Sequence, residues 1–261
     1  MINQEKLIFK PKAGFSESLE IWGTKHHALS LEGGERAHFF EKTGDHGILI
    51  YHYGNAFSAD DCLDKLRWLS KHTKLSLFVA DYPGYGNNPG EAGQDAIIRL
   101  MEHWWTFLEK NHGYKSEQRY VWGHSLGGAI AGIMAGKMGC KGLILESTFN
   151  NMIDMAGSIY PMLPIDWICR HPFECDQALE QTRFPILMFH CRDDNVVPIE
   201  LGKKLFSHLG NRAHWVAFEK GGHNQTYRSH GVDMAKQLVS FFPETSPIHE
   251  IDFGLRNQDA P

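Results

Sequence analysis

The stretch VWGHSLGGAIAG, Val121–Gly132, leaves a chain few ways to fold. The run QRYVWGH reads as a buried strand, and LGGAIAGIMAGKM has helical length with small residues at i, i+3 and i+4. Ser125 therefore sits where a strand turns into a helix. A turn that sharp brings backbones together, so Gly123 and Gly127 are expected where a side chain would collide or forbid the needed φ. Gly128, Ala131, Gly132 and Ala135 are expected to let the helix lie close on the sheet. The serine hydroxyl would then stand exposed at a helix N-terminus, whose free N–H groups favour developing negative charge. This is the G-x-S-x-G nucleophile elbow, although a Gly-rich packing turn fits the same five positions. Downstream partners have to decide between the two.

Around this turn, apolar runs alternate with helical patterns from about Gly47 onward, the signature of a parallel sheet covered on both faces. The expected strands are GILIYHY, LSLFVADYP, RYVWGHS, KGLILEST, FPILMFHCRDD and HWVAFEKGGH, separated by helices such as DDCLDKLRWLSKH, IELGKKLFSHL and VDMAKQLVSFF. QDAIIRLMEHWWTFLEK places Ile97, Leu100, Met101, Trp104 and Leu108 on one face, a stripe that reads as core packing. Before Gly47, ESLEIWGT (17–24) and RAHFFEKT (36–43) suggest an antiparallel hairpin. KHH, Lys25–His27, reads as surface histidine in a turn-like context. The alternation breaks once, at Asn150–Phe184. That segment is too long for a simple connection, and its apolar surface includes Met155, Ile159, Met162, Leu163, Ile165, Trp167 and Ile168. A short helical cap over a pocket above Ser125, selecting apolar acyl groups, is expected there; an insertion that only extends the core is the alternative. PETSPIHEIDFGLRNQDAP, residues 243–261, lacks apolar periodicity and is expected to be an irregular end.

A serine hydroxyl needs a base within hydrogen-bond reach, and the base needs an orienting carboxylate. Behind the elbow, ILMFHCRDDNVVP ends a strand in Asp193 and Asp194; the spacing to Val197 and Pro198 favours Asp194, with Asp193 in reserve as a capping or turn carboxylate otherwise. HWVAFEKGGHNQTY then supplies His223 behind two glycines. Ser125, Asp194 and His223 follow one another at the carboxyl ends of expected strands. His124 reads as a packing or pocket-wall residue. For the oxyanion of acyl transfer, one donor is the Leu126 amide; YHYGNAFSA puts the Asn55 amide at the exit of the first parallel strand as the second.

The ordered set YGNA, DYPGYGNNPG, GHSLGGA, LESTF, RDDNVVP and GGHN resembles the α/β-hydrolase superfamily, and in particular its Bem46-like branch of serine hydrolases, from about Gly47 to Phe242. The resemblance implies an α/β-hydrolase fold, a mostly parallel sheet flanked by helices, acting on ester, thioester or lipid-like acyl substrates. Tyr53 stands where the branch usually has the histidine of its oxyanion loop, Pro83 replaces an arginine, and Cys191 a glycine. Asp81 is then expected to anchor its loop.

The whole chain narrows the alternatives. With 261 residues, 42% hydrophobic and 22% charged, one globular domain is the default. A net charge of −5 with scattered Lys and Arg offers no footprint for nucleic acid or an anionic membrane. Five cysteines without C-x-x-C spacing, no apolar leader and no bilayer-length run point to a chain of the reducing cytoplasm. No metal-ligand spacing or cofactor motif is present. Two classes of function remain: a serine carboxyl-ester or thioester hydrolase, with a peptidase as its variant, and a non-catalytic binding or scaffold protein that would have lost a triad member.

Overall fold

The structure, a computed structural model, describes residues 4–242; the tail expected over 243–261 lies outside them. A short helix α1 (Gln4–Ile8) and strands β1 (Lys25–Ser30) and β2 (Arg36–Glu41) precede the alternating part of the chain. Then follow β3 (Ile48–His52), α2 (Leu63–His72), β4 (Ser76–Ala80), α3 (Gln94–His112), β5 (Arg119–His124), α4 (Leu126–Met138) and β6 (Gly142–Glu146). Three short helices, α5 (Met152–Ile159), α6 (Ile165–Ile168) and α7 (Cys175–Leu179), lead to β7 (Ile186–Cys191), α8 (Ile199–Leu209), β8 (Ala213–Phe218) and α9 (Thr226–Phe241).

Among the described residues, eight strands form one sheet in the order β1-β2-β4-β3-β5-β6-β7-β8. β2 pairs antiparallel with both β1 and β4, and the pairs from β4 through β8 are parallel. Every residue of β3 to β7 is buried, which is why those strands read as continuous apolar runs. Successive residues point to opposite faces. Trp122 meets Trp68 of α2, 6.1 Å between ring centres, while a β-carbon on Gly123 would meet α4.

The tight turn behind β5 shows why glycine is required. A β-carbon at Gly123 would lie 2.3 Å from the Gly127 carbonyl oxygen, and one at Gly127 would lie 2.2 Å from that of His52. The other small residues of α4 divide their work. Gly128 lies against Thr148 behind β6, whereas Gly132 and Gly136 face Cys175 and Ala178 of α7 and admit that helix rather than the sheet.

Two expectations change. The first strand is KHHALS, not ESLEIWGT, so Lys25–His27 lies in a sheet edge and not in a turn. Its polar look has a local reason: His26 Nε2 lies 3.0 Å from His38 Nδ1 beside Phe40, and His27 pairs with Glu41 at 2.9 Å. Within 150–184, Phe173, Cys175 and Leu179 are fully buried, so α7 belongs to the core and the protruding part ends before it. Trp167 and Met162 face solvent, 91% and 92% exposed, rather than covering a pocket.

Gly127→Ala is expected to cost about 1–3 kcal/mol or more through overpacking. Gly157→Ala, in α5 with open space at its β-carbon, should be neutral or stabilise by about 0.5–1 kcal/mol. Urea denaturation of both variants checks the contrast.

Candidate active site

Ser125 follows β5 directly, with φ 56° and ψ −124°, a sparsely populated conformation for a residue with a β-carbon. Its peptide is locked: Ser125 N–H donates to the Glu146 carbonyl at 2.9 Å, while Gly128 N–H and the Thr148 hydroxyl donate to its carbonyl at 2.8 and 2.7 Å. Leu126 is the first residue of α4, so its N–H has no carbonyl one turn back to bind.

His223 and Asp194 meet this serine. His223 Nε2 lies 2.9 Å from Ser125 Oγ, and His223 Nδ1 lies 2.9 and 3.0 Å from the Asp194 carboxylate oxygens. Burial alone would raise the Asp194 carboxyl, but hydrogen bonding and charge from His223, with the Val197 and Val196 amides at 2.9 Å, hold it below its ordinary value. An ionised carboxylate only accepts, so Nδ1 carries the proton and Nε2 is left to accept from the serine hydroxyl. Asp193 does not touch the ring; it accepts from the Gly221 and Gly222 amides at 3.2 and 2.8 Å.

The loop behind β3 abuts the nucleophile. A β-carbon on Gly54 would lie 3.2 Å from that of Ser125 and 2.9 Å from His124 Nδ1. Asn55 spends its side chain on fixing this loop, accepting from the Lys10 amide at 2.9 Å and the Tyr85 hydroxyl at 2.8 Å, and donating to the Ile8 carbonyl. Tyr53 donates to Asp81 at 2.9 Å, and its carbonyl accepts from Tyr82 at 2.8 Å. Asp81 also accepts from the Ala59 amide at 2.7 Å, so it ties two loops together; burial raises its carboxyl to about 6 against these bonds.

Two cavities bear on the site. An apolar one of about 250 Å³ lies between α1 and the protruding helices, lined by Ile8, Met152, Ala156, Tyr160, Leu163 and Ile168. Ile8 links it to Asn55. A second, of mixed polar and apolar lining and about 110 Å³, lies on the α2 and α9 side, with Gly54, Lys65, His124, Glu146, Tyr227 and Arg228 in its wall. His124 is thus a pocket-wall residue, as its position beside the elbow suggested.

Known proteins carry the same frame. The family model Abhydrolase_4, described as TAP-like protein, matches residues 153–246. WAV2 of Arabidopsis thaliana, an alpha/beta hydrolase domain-containing protein, is 26% identical, with 94% of this chain and 89% of that protein covered. The lysophosphatidylserine lipase ABHD12 of Danio rerio is 28% identical over 79% of this chain; the chain spans 59% of that lipase's length. Among solved structures, the Pyrococcus furiosus esterase Pf2001 matches with a TM-score of 0.70 at 14% identity, covering 92% of this chain and 99% of that one. The chain has the α/β-hydrolase fold. Among the described residues, no helix of this hydrolase fold is long and apolar enough to cross a membrane.

Sequence reading missed one part of the candidate site. Lys65 Nζ lies 2.8 Å from Glu146 Oε2, both groups are buried, and Trp122 Nε1 donates to the same oxygen at 2.8 Å. The ammonium also lies 4.5 Å from the ring centres of Trp122 and Tyr227. Burial pulls Lys65 below its ordinary value despite Glu146; burial would raise Glu146, but Lys65 holds it low. The available signal was a lysine on the same helical stripe as Leu66 and Leu69. Glu146→Leu leaves Lys65 buried and unpaired, so a loss of about 3–5 kcal/mol is expected, and Lys65→Met added to it should recover much of that in chemical denaturation.

Proposed function

We propose that the chain is a serine hydrolase that cleaves carboxyl-ester or thioester bonds of small or acyl-chain substrates, with Ser125, His223 and Asp194 as its triad. The observation that carries this reading is the relay from Ser125 Oγ through His223 to Asp194, with 2.9 Å at each link. Ser125 attacks the acyl carbon as its proton passes to His223 Nε2, and Asp194 stabilises the imidazolium that results. The Leu126 and Asn55 amides hold the tetrahedral oxyanion, each donor contributing about 3 kcal/mol. His223 then protonates the leaving oxygen or sulfur, and water, activated by the same imidazole, releases the acyl group from Ser125. The chemistry uses no metal and no cofactor.

The apolar cavity between α1 and the cap is the acyl site in this reading, because it adjoins the Asn55 loop and offers almost entirely carbon to a chain. Ester and lipase names among the relatives agree with it. The thiols of Cys62, Cys140, Cys169, Cys175 and Cys191 are free, which suits a reducing cytoplasm.

A fluorophosphonate probe should label the parent protein at Ser125 and leave Ser125→Ala unlabelled; equal labelling of both would remove the mechanism. Asp194→Asn should lower kcat by about 10⁴-fold while the protein stays folded.

Acyl-chain profiles test the cavity separately. kcat/KM should rise with chain length, by up to about 0.8 kcal/mol per buried methylene, until the cavity is full. Ala156→Phe should move that break to shorter chains and leave acetyl-ester turnover nearly intact. A profile flat in the parent, or unmoved by Ala156→Phe, would make the protruding helices purely structural.

A further inference from the structure

We infer that His124 and Asp193 are positioning residues that clamp the loop carrying His223 from two sides. The inference rests on the triad proposed above. Gly221 and Gly222, with φ 139° and 57°, precede His223 in backbone conformations that favour glycine. Two glycines give the chain freedom to deliver an imidazole to the serine, and the same freedom lets it wander. Something outside the loop has to remove that freedom.

Three consecutive residues of the loop are held through their backbone. On the solvent side, the exposed Asp193 carboxylate accepts from Gly222 N–H at 2.8 Å and Gly221 N–H at 3.2 Å. On the buried side, His124 Nε2 lies 2.9 Å from the His223 carbonyl oxygen, with the two rings 4.9 Å apart. A carbonyl only accepts, so His124 Nε2 carries the proton. Burial pushes this imidazole down to about 4, which keeps the ring neutral with Nδ1 bare toward Gly54. The two aspartates of RDD therefore divide one task, Asp194 fixing the imidazole and Asp193 the backbone that bears it.

The readout follows from what the loop delivers. His223 Nε2 stands 2.9 Å from Ser125 Oγ, and if the loop loosens that distance is no longer kept, so kcat falls while substrate binding is retained. Taking kcat per folded molecule keeps lost fold from counting as lost catalysis.

The test uses the full chain and p-nitrophenyl butyrate. Asp193→Ala and His124→Phe are each expected to lower kcat about 10- to 100-fold, as misplacing a reacting group by a fraction of an ångström to 1 Å does, with KM changed less than about twofold. His124→Gln, which restores an N–H donor, should recover part of the loss. Because both residues act through one loop, the double variant should lose less than the product of the single losses. Parental kcat in a folded Asp193→Ala would overturn the clamp, as would a KM that rises as much as kcat falls. Asp193 is exposed, so that variant decides the matter even where His124→Phe does not fold. Labelling that persists in Ser125→Ala would instead defeat the triad itself, whatever the clamp variants do.

Discussion

Everything at the site depends on how closely the first turn of α4 approaches the ends of β3 and β5. With hydrogen in place of a side chain at Gly127, the helix start can rest against the His52 and Tyr53 carbonyls. That contact forces the segment after β3 against Ser125. Two stretches of chain far apart in sequence thereby meet beside Ser125. The backbone at Ser125 stores strain of about 1–3 kcal/mol, and bonds from its own amide to Glu146 and from Thr148 to its carbonyl offset it. The strain persists because β6 over-determines the turn.

The electrostatics are arranged around that turn in neutral units. Burial pushes His52 down to about 3 and His124 to about 4, so both rings are uncharged at neutral pH. Lys65 and Glu146 cancel each other within 2.8 Å. Asp194 is then the charge in direct contact with the His223 ring. Its folded value lies below the unfolded one, so the stability it contributes is present above the ordinary carboxylate range and is lost as pH falls through the folded value. The carboxylate that holds His223 Nδ1 is therefore ionised at neutral pH.

How much of this could be read from the sequence follows from how local each feature is. Ser125, Asp194 and His223 each follow a strand in a short pattern whose backbone needs are visible in its glycines and apolar runs, and the structure brings the three together. Asp193 and Asp194 could be ranked by their spacing to Val197, because the bond that fixes Asp194 is to that amide. The Lys65–Glu146 pair spans 81 positions and obeys no local period, so it was invisible. KHHALS failed as a strand for a related reason. Its histidines are satisfied across the hairpin by His38 and Glu41 of β2, and a polar edge strand looks like a turn until its partner is known. Trp167 misled in the opposite direction, since hydrophobicity alone does not say on which side of a four-residue helix a side chain falls.

The three groups proposed to act differ in what holds them. Ser125 and Asp194 follow strands buried along their whole length, and moving either would break sheet register through the core. His223 follows β8, whose residues are only partly buried at the sheet edge, and then two glycines. Its position rests on a few side-chain hydrogen bonds, where that of the other two rests on the sheet. Regions with few buried contacts open at lower free energy than the fold as a whole. Precision at the imidazole is therefore the least secure property of the site, and it can be lost while Ser125 stays in its strained conformation. The bonds that meet the backbone from Gly221 to His223 lie where the sheet's own constraint gives out.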